Sequence, residues 1–408
     1  MRRCHARSRG TTVLDPIISF FSSVFLWIGR GIGLLIGAIL WPFMWLARWY
    51  GGRGLILKAS LGLVLAILIG FYGHFFYITQ FWTDFDPDYP NRVEASSTTV
   101  KAANAVAGQP IATADASGSA PTTTAPEGSA AVAQTAPAAQ TCKRSEIAAT
   151  TAYLIDFNVN SNAWISSTLL SKLGFFGIDW RNTPFFDNKA AFQLGINQVM
   201  RRTTTELVDT LGRARGTSRI DQNLQDARTA MSWDEDAWYI GLRGPTRPTP
   251  SVYREAIRKL NAFNASLEAC QATFDARADN LLSFLDRVSG DMGSTSDILR
   301  SQIEASNAGW FDPRADDRFW FAYGQLYAYY GILNAAKADF ASVLRERNIT
   351  TLWDTMDSQL RQALDMQPWI ISNGNESSFI FPSHLATMGF NLLRARSQIV
   401  EIRNVLDR

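Results

Sequence analysis

The sequence has little of the chemistry that enzymes and metal proteins use, since only three Cys and three His occur among 408 residues. A Cys/His metal site therefore has almost no ligands to draw on. A basic excess is also lacking: 39 Lys and Arg stand against 37 Asp and Glu, which argues against a nucleic-acid partner. No nucleophile-elbow, zinc-protease or phosphate-loop motif is present. We therefore predict no catalytic residues, no metal and no cofactor.

One long apolar run predicts a membrane helix. Ala59 to Ile78 are 20 residues without a formal charge, and about 20 helical residues cross a bilayer core of about 30 Å. Phe81 and Trp82 follow, where aromatic rings favour the membrane interface. A buried core helix rarely lacks a solvated face over such a length. We expect 59–78 to be a transmembrane helix in the lipid bilayer.

The charges that flank this helix predict its orientation. Residues 1–58 hold eight basic residues and one acidic residue, whereas Asp84, Asp86 and Asp88 follow the helix. Positive segments stay in the cytoplasm. Residues 1–16 are therefore expected to form a basic cytoplasmic tail. In a Gram-negative cell, the protein would lie in the inner membrane with residues 79–408 in the periplasm.

A second apolar stretch, 17–47, allows two interpretations because Arg30 lies near its middle. A re-entrant or interfacial helix keeps both basic flanks in the cytoplasm, whereas a membrane-spanning helix places the Arg-rich tail outside. Small residues recur in it at four-residue spacing, at Gly29, Gly33 and Gly37. They are either ordinary membrane composition or a close-packing face for an envelope protein or a second copy.

Residues 91–141 have the composition of a disordered Ala/Thr/Pro tether. From Ala102 to Gln140, 15 of the 39 residues are Ala, and Leu and aromatic residues are lacking. Such a segment cannot bury enough apolar surface to offset its ordering entropy. It would separate the membrane helix from the body by roughly 40 Å.

From 143 to 408 the apolar residues recur with a helical period. This pattern predicts an all-α bundle of six or more long helices anchored in the membrane. The predicted helices span 188–211, 218–231, 250–288, 315–347, 351–366 and 383–406. Asn373-Gly374 between β-prone runs predicts one short hairpin near 367–382.

The predicted helix that begins at 315 is unusually aromatic. It is either the central core helix, covered on all sides, or one wall of a groove for a peptide, glycan or lipid. The candidate groove residues are Asp316, Asp317, Trp320, Tyr323, Tyr327, Tyr330 and His384. The two acids either complement the dipole of the helix or act as a carboxylate pair. The histidine stands at a helix start, where a capping or buried hydrogen-bonding role is the simpler interpretation.

Two cysteines lie in the predicted exterior part, where thiols tend to pair. Cys142 stands where the tether meets the body, and Cys270 lies within a predicted helix. They either form a disulfide or remain two thiols, with Cys270 a small buried hydrophobe.

Several short motifs resemble an uncharacterised bacterial family of membrane-anchored periplasmic proteins, the DUF2333 family. They occur in the family's order across roughly 150–408, as Phe186-Asp187-Asn188, Phe192-Gln193-Leu194-Gly195, Ala276–Leu281, Asp316–Phe319, Ala322, Gly324, Asp339-Phe340 and Asn373-Gly374. The resemblance implies an N-terminal membrane helix and a helical exterior domain. The stretch 17–47 and the long tether depart from that layout, and the family assigns no activity.

Three functions remain open on the sequence. The first is a non-enzymatic scaffold or adaptor of the cell envelope. The second is an envelope hydrolase that uses paired carboxylates near a tryptophan. The third is a lipid- or peptide-binding module.

Overall fold

A computed structural model describes residues 15–96, 107–109, 142–174, 186–213, 219–241, 244–305, 312, 314–374 and 382–408. In these residues the chain forms thirteen α-helices and one pair of two-residue strands, which confirms the predicted all-α fold. The chain divides into two compact units, one that ends at Gly73 and a body from His74 to Arg408.

The first unit consists of apolar helix. Helix α1 spans Asp15–Gly51 and passes Pro42 without interruption, and α2 begins at Leu55 and ends at Gln80. Within these helices, Gly29–Gly51 and Leu55–Gln80 are long and apolar enough to cross a membrane. No atom lies within 4 Å of a Cβ built on Gly29, Gly33 or Gly37, so this face of α1 is open.

The body contains the remaining helices. In chain order they are α3 (Tyr89–Ser96), α4 (Glu146–Asp156), α5 (Leu169–Leu173), α6 (Asn188–Glu206), α7 (Gln222–Met231), α8 (Thr249–Glu268), α9 (Ala278–Ala305), α10 (Ala315–Asp339), α11 (Ala341–Glu346), α12 (Thr350–Ala363) and α13 (His384–Leu406). Each of α4 and α6 continues into one π-helical turn, Phe157–Ser161 and Leu207–Leu211. Side-chain caps begin several helices as expected; Ser383, for example, accepts a hydrogen bond from the backbone of Ala386.

Helix α10 is the central element, and its residues are buried on every face. Helix α6 crosses it at two glycines: a Cβ on Gly195 would lie 2.1 Å from the carbonyl of Phe321, and one on Gly324 would lie 2.2 Å from that of Phe192. Any larger residue would therefore push the two backbones apart. The close contact explains why Gly is placed in the middle of both helices, where it otherwise weakens them.

The predicted helix 250–288 is wrong, because the chain breaks between α8 and α9. Cys270 adopts the left-handed conformation (φ 57°), and Phe274 turns inward to pack 5.9 Å from the ring of Phe340. Gly290, the expected stop, lies inside α9. No Gly or Pro marks this break, so periodicity alone could not locate it.

The predicted helix 315–347 is also divided, at Phe340. The division is explained by Asp339, the residue that precedes Phe340. Asp339 is fully buried, and its carboxylate accepts hydrogen bonds of 2.8–3.0 Å from the Ser145 hydroxyl and the backbone N–H groups of Glu146 and Ile147. It thereby caps the first turn of α4 from another helix.

The strand pair found in the described residues joins Ile240–Gly241 to Gly244–Pro245. At the predicted hairpin near 367–382, one antiparallel bridge joins Asn373 to Ser383, and residues 375–381 lie outside the described residues.

Cys142 and Cys270 form a disulfide, with 5.3 Å between their Cα atoms. Beside it, Ala107–Gln109 pairs with Lys143: the Gly108 N–H donates to the Lys143 carbonyl at 2.7 Å, and the Lys143 N–H to the Gln109 carbonyl at 3.1 Å. Residues 91–96 of the predicted tether belong to α3. Apart from Ala107–Gln109, the rest of it lies outside the described residues.

Candidate functional site

The segment that leaves the apolar helix packs directly onto the body, at a site we call the α2 junction (residues 75–93 with the facing side chains of α6 and α10). Phe75 and Thr79, in the last two turns of α2, are already buried. No linker therefore separates the apolar run, which ends at Ile78, from the body.

Lys189 closes the end of α2. Its side chain is almost fully buried, and its Nζ donates to the carbonyls of Ile78 and Phe81, both at 2.8 Å. Burial lowers the pKa of Lys189 to about 8. A cation at this position satisfies the free carbonyls and complements the negative end of the helix dipole.

Three aromatic residues of the junction fill the space between α4, α6 and α10. Trp82 stacks on Phe192 with 4.8 Å between ring centres, and Tyr89 stacks on Tyr327 at 4.7 Å. Phe85 lies 5.4 Å from the same Tyr327 ring. Trp82 is thus partly a core residue, and the interfacial position expected for Phe81 and Trp82 does not describe it.

Polar contacts fix the same segment. Asn162 donates to the carbonyl of Thr83 and accepts from its N–H, at 2.9 and 3.0 Å. Arg361 holds the carboxylate of Asp88 with two bonds of 2.7 and 3.2 Å, which lowers the pKa of Asp88. The junction is consequently held by aromatic packing, by backbone recognition and by an ion pair.

The tyrosines of the predicted groove belong to the core. The Tyr323 and Tyr327 side chains are fully buried, and their hydroxyls donate to the carbonyls of Leu364 (2.7 Å) and Asp86 (3.0 Å). Burial raises the pKa of Tyr330 to about 12. These tyrosines therefore agree with the first interpretation of α10, a central core helix. The Tyr323 and Tyr327 hydroxyls already bond to carbonyls inside the protein.

The two acids of the predicted groove meet a third one that the sequence did not single out. Asp316 and Asp317, in the first turn of α10, lie beside Asp187, the residue before α6. Asp187 is almost fully buried, and its carboxyl is close enough to Asp317 to share a proton with it. Among the described residues, no other side chain donates a hydrogen bond to its two oxygens. Burial and the two neighbouring carboxylates raise the pKa of Asp187 to about 9.

Asp316 is buried as well, and its pKa is raised to about 7 by burial and by Asp317. At neutral pH the cluster therefore holds at least one proton. In the described part of the chain, no group of three or more His, Cys, Asp or Glu residues is arranged to hold a metal ion. The signal that could have revealed Asp187 is its position in the motif Phe186-Asp187-Asn188, an acid that directly follows two aromatic residues.

His384 and Ser372 form the pair that most resembles a nucleophile and its base. The Ser372 hydroxyl lies 3.1 Å from His384 Nδ1, but the same nitrogen accepts the backbone N–H of Ser372 at 3.0 Å. Burial lowers the pKa of His384, which keeps the ring neutral and able to accept. The Ser372 hydroxyl itself donates to the carbonyl of Pro382. The pair therefore ties a loop to the start of α13, and Nδ1 is not free to take a proton from the hydroxyl.

Two open grooves lie along helix α9. One, of about 740 Å³, has a lining of mixed polarity that includes Arg318, Arg396 and Ile298. The other, of about 510 Å³, lies between α9 and α13 and is largely apolar. Its exposed side chains include Phe390 and Leu393, which are 63% and 48% exposed.

These features define a class: an all-α protein with two apolar N-terminal helices long enough to cross a membrane and a helical body. A family model described as an uncharacterised protein conserved in bacteria (DUF2333) matches residues 124–310 and 302–408. The chain belongs to this family, as its motifs indicated. No curated protein and no solved structure matches it.

Proposed function

We propose that the protein is anchored in the inner membrane by its apolar helices and that its body acts in the periplasm as a non-enzymatic scaffold or adaptor for another envelope protein. The basic residues before α2 and the acidic residues after it support this orientation.

The observation that carries the proposal is the apolar groove between α9 and α13. Phe390 and Leu393 expose large side chains next to each other on α13, and Leu299 and Ile303 line the groove from the facing helix α9. Contiguous exposed apolar surface on an otherwise well-packed bundle marks interaction sites. The groove is of the size and shape that accepts an amphipathic helix of a partner protein.

Photo-cross-linking in intact cells tests this proposal. A photoreactive amino acid is placed at Phe390, and a matched control is placed at Thr229, which is exposed on α7. We expect a discrete cross-linked protein from position 390 and none from position 229, and an additional Leu393→Asp substitution should remove it. Equal or absent cross-linking at the two positions would contradict the adaptor role, and a lipid or peptide adduct at 390 would favour a binding module instead.

The orientation has its own test. A reporter that is active only outside the cytoplasm is fused after Ala130, and a reporter active only inside is fused at the same position. We expect activity from the first and none from the second. The reverse result would show that the proposed topology is wrong.

A further inference from the structure

The end of the body that receives α2 is well defined by contacts among described residues. Lys189, at the start of α6, binds the last carbonyls of α2, and Trp82 packs 5.1 Å from Trp320 in the first turns of α10. Phe319, beside Trp320, packs against His384 at the start of α13. The starts of α6, α10 and α13 therefore lie together at this end, which we call the α2 end.

A loop with an exposed apolar tip follows α12 at the α2 end. Trp369 is 100% exposed and Ile370 is 70% exposed. Both sides of the loop are fixed to the α2 end: Gln367 donates to the Tyr323 hydroxyl at 3.1 Å, and the Ser372 N–H donates to His384 Nδ1 at 3.0 Å. The two sides of the loop are thus fixed by hydrogen bonds, and Trp369 and Ile370 at its tip are exposed to solvent.

Phe81 adds a third exposed apolar side chain to the same end. It follows α2 directly and is 59% exposed, and its carbonyl is one of the two that Lys189 binds. Tryptophan and phenylalanine side chains of this kind favour the boundary between lipid headgroups and acyl chains, where an apolar ring is removed from water while the indole N–H keeps a polar partner.

We propose that Trp369 and Ile370 insert into the interfacial layer of the bilayer, so that the body makes a second contact with the lipid surface. This inference rests on the membrane anchorage proposed above. It adds an argument from continuity: the apolar run ends at Ile78, whose carbonyl is bound by Lys189 at the α2 end. The point at which the chain would leave the bilayer therefore lies at this end of the body. At the membrane surface, the fully exposed Trp369 side chain could move from water into an apolar environment.

The experiment uses the full chain with its disulfide intact, in a Cys4→Ser background. An environment-sensitive fluorophore is attached through Ile370→Cys, which leaves Trp369 in place. Two matched positions are labelled in separate variants: Leu65→Cys within α2, and Glu346→Cys, which is exposed beyond the C-terminal end of α10. Each protein is reconstituted into vesicles of phosphatidylethanolamine and phosphatidylglycerol that contain a lipid with a quencher at headgroup depth or deep in the acyl chain.

We expect the headgroup quencher to quench the label at 370 at least about threefold more than the label at 346, because a side chain in the interfacial layer contacts it. The deep quencher should act mainly on the label at 65. Adding Trp369→Ser should reduce quenching at 370, whereas the same change should leave quenching at 65 unaltered.

Quenching at 65 without quenching at 370 would overturn the lipid contact and leave the membrane anchor standing. A label at 65 that no lipid quencher reaches would refute the anchor itself, and the lipid contact with it. A label at 370 that responds only when cell extract is added would show that this loop meets a protein rather than lipid, which also overturns the proposal.

Discussion

The buried carboxyl of Asp187 should make the body less stable as the pH rises. Its pKa in the folded protein is about 9, compared with an ordinary value of 3.8. The folded state therefore keeps a proton that the unfolded chain releases. Its contribution to stability is complete below about pH 4 and is lost as the pH rises toward 9, at up to about 1.4 kcal/mol for each pH unit.

The Asp187→Asn variant separates this effect from the other carboxyls. The amide has nearly the shape of the protonated carboxyl but does not titrate, and its N–H groups can donate to the acids beside it. Between about pH 6 and pH 8, the free energy of unfolding of the variant should rise relative to the wild type by about 2–3 kcal/mol, which for a body of this size is roughly 3–4 °C in melting temperature. Asp316, whose pKa is raised to about 7, titrates in both proteins.

The assay is thermal unfolding of the purified full chain in detergent at several pH values in this range. Asp297→Asn is the matched control, since Asp297 is exposed on α9. It should shift the melting temperature little and by the same amount at every pH. If the difference between Asp187→Asn and the wild type is independent of pH, the carboxyl of Asp187 does not hold a proton in the folded state, and the reasoning fails.

Two further substitutions test the packing of the body. Gly331→Ala should lower the free energy of unfolding by about 1–3 kcal/mol, because its Cβ would lie 1.8 Å from the Tyr89 hydroxyl. The control Gly290→Ala, whose Cβ meets no atom within 4 Å, should be neutral or stabilising. Equal losses of stability in the two variants would refute the contact. Replacing Cys142 and Cys270 by Ser should cost about 2–5 kcal/mol and remove the mobility difference between reduced and non-reduced protein; free thiols at both positions in the unreduced protein would contradict the disulfide.

Local sequence signals predicted much of the secondary structure. The predicted helix starts at 188 and 383 agree with the starts of α6 and α13 to within one residue, because helical periodicity acts over a few neighbouring positions. The same signals failed between α8 and α9. There the backbone of Cys270 is turned by a disulfide to Cys142, a contact between residues 128 positions apart.

The candidate site was predictable only in part. Asp316 and Asp317 were recognised as unusual, but their partner Asp187 comes from the start of another helix, and the packing of α6 against α10 is what removes Asp187 and Asp316 from water. In the same way, Tyr323 could be read as groove or core until its hydroxyl was seen to bond the carbonyl of Leu364. The residue types in a helix do not reveal which of its faces another helix will cover.

The sequence by itself determined the helical class, the apolar helices and the family, because composition and periodicity act locally and are read directly from the chain. Only the tertiary structure decided how α2 is attached to the body. The Ala/Thr/Pro segment suggested a flexible tether, yet Trp82, Phe85 and Tyr89 precede that segment and are packed on α10. Their burial depends on a cavity that α4, α6 and α10 form together, and no pattern within 75–93 contains that information.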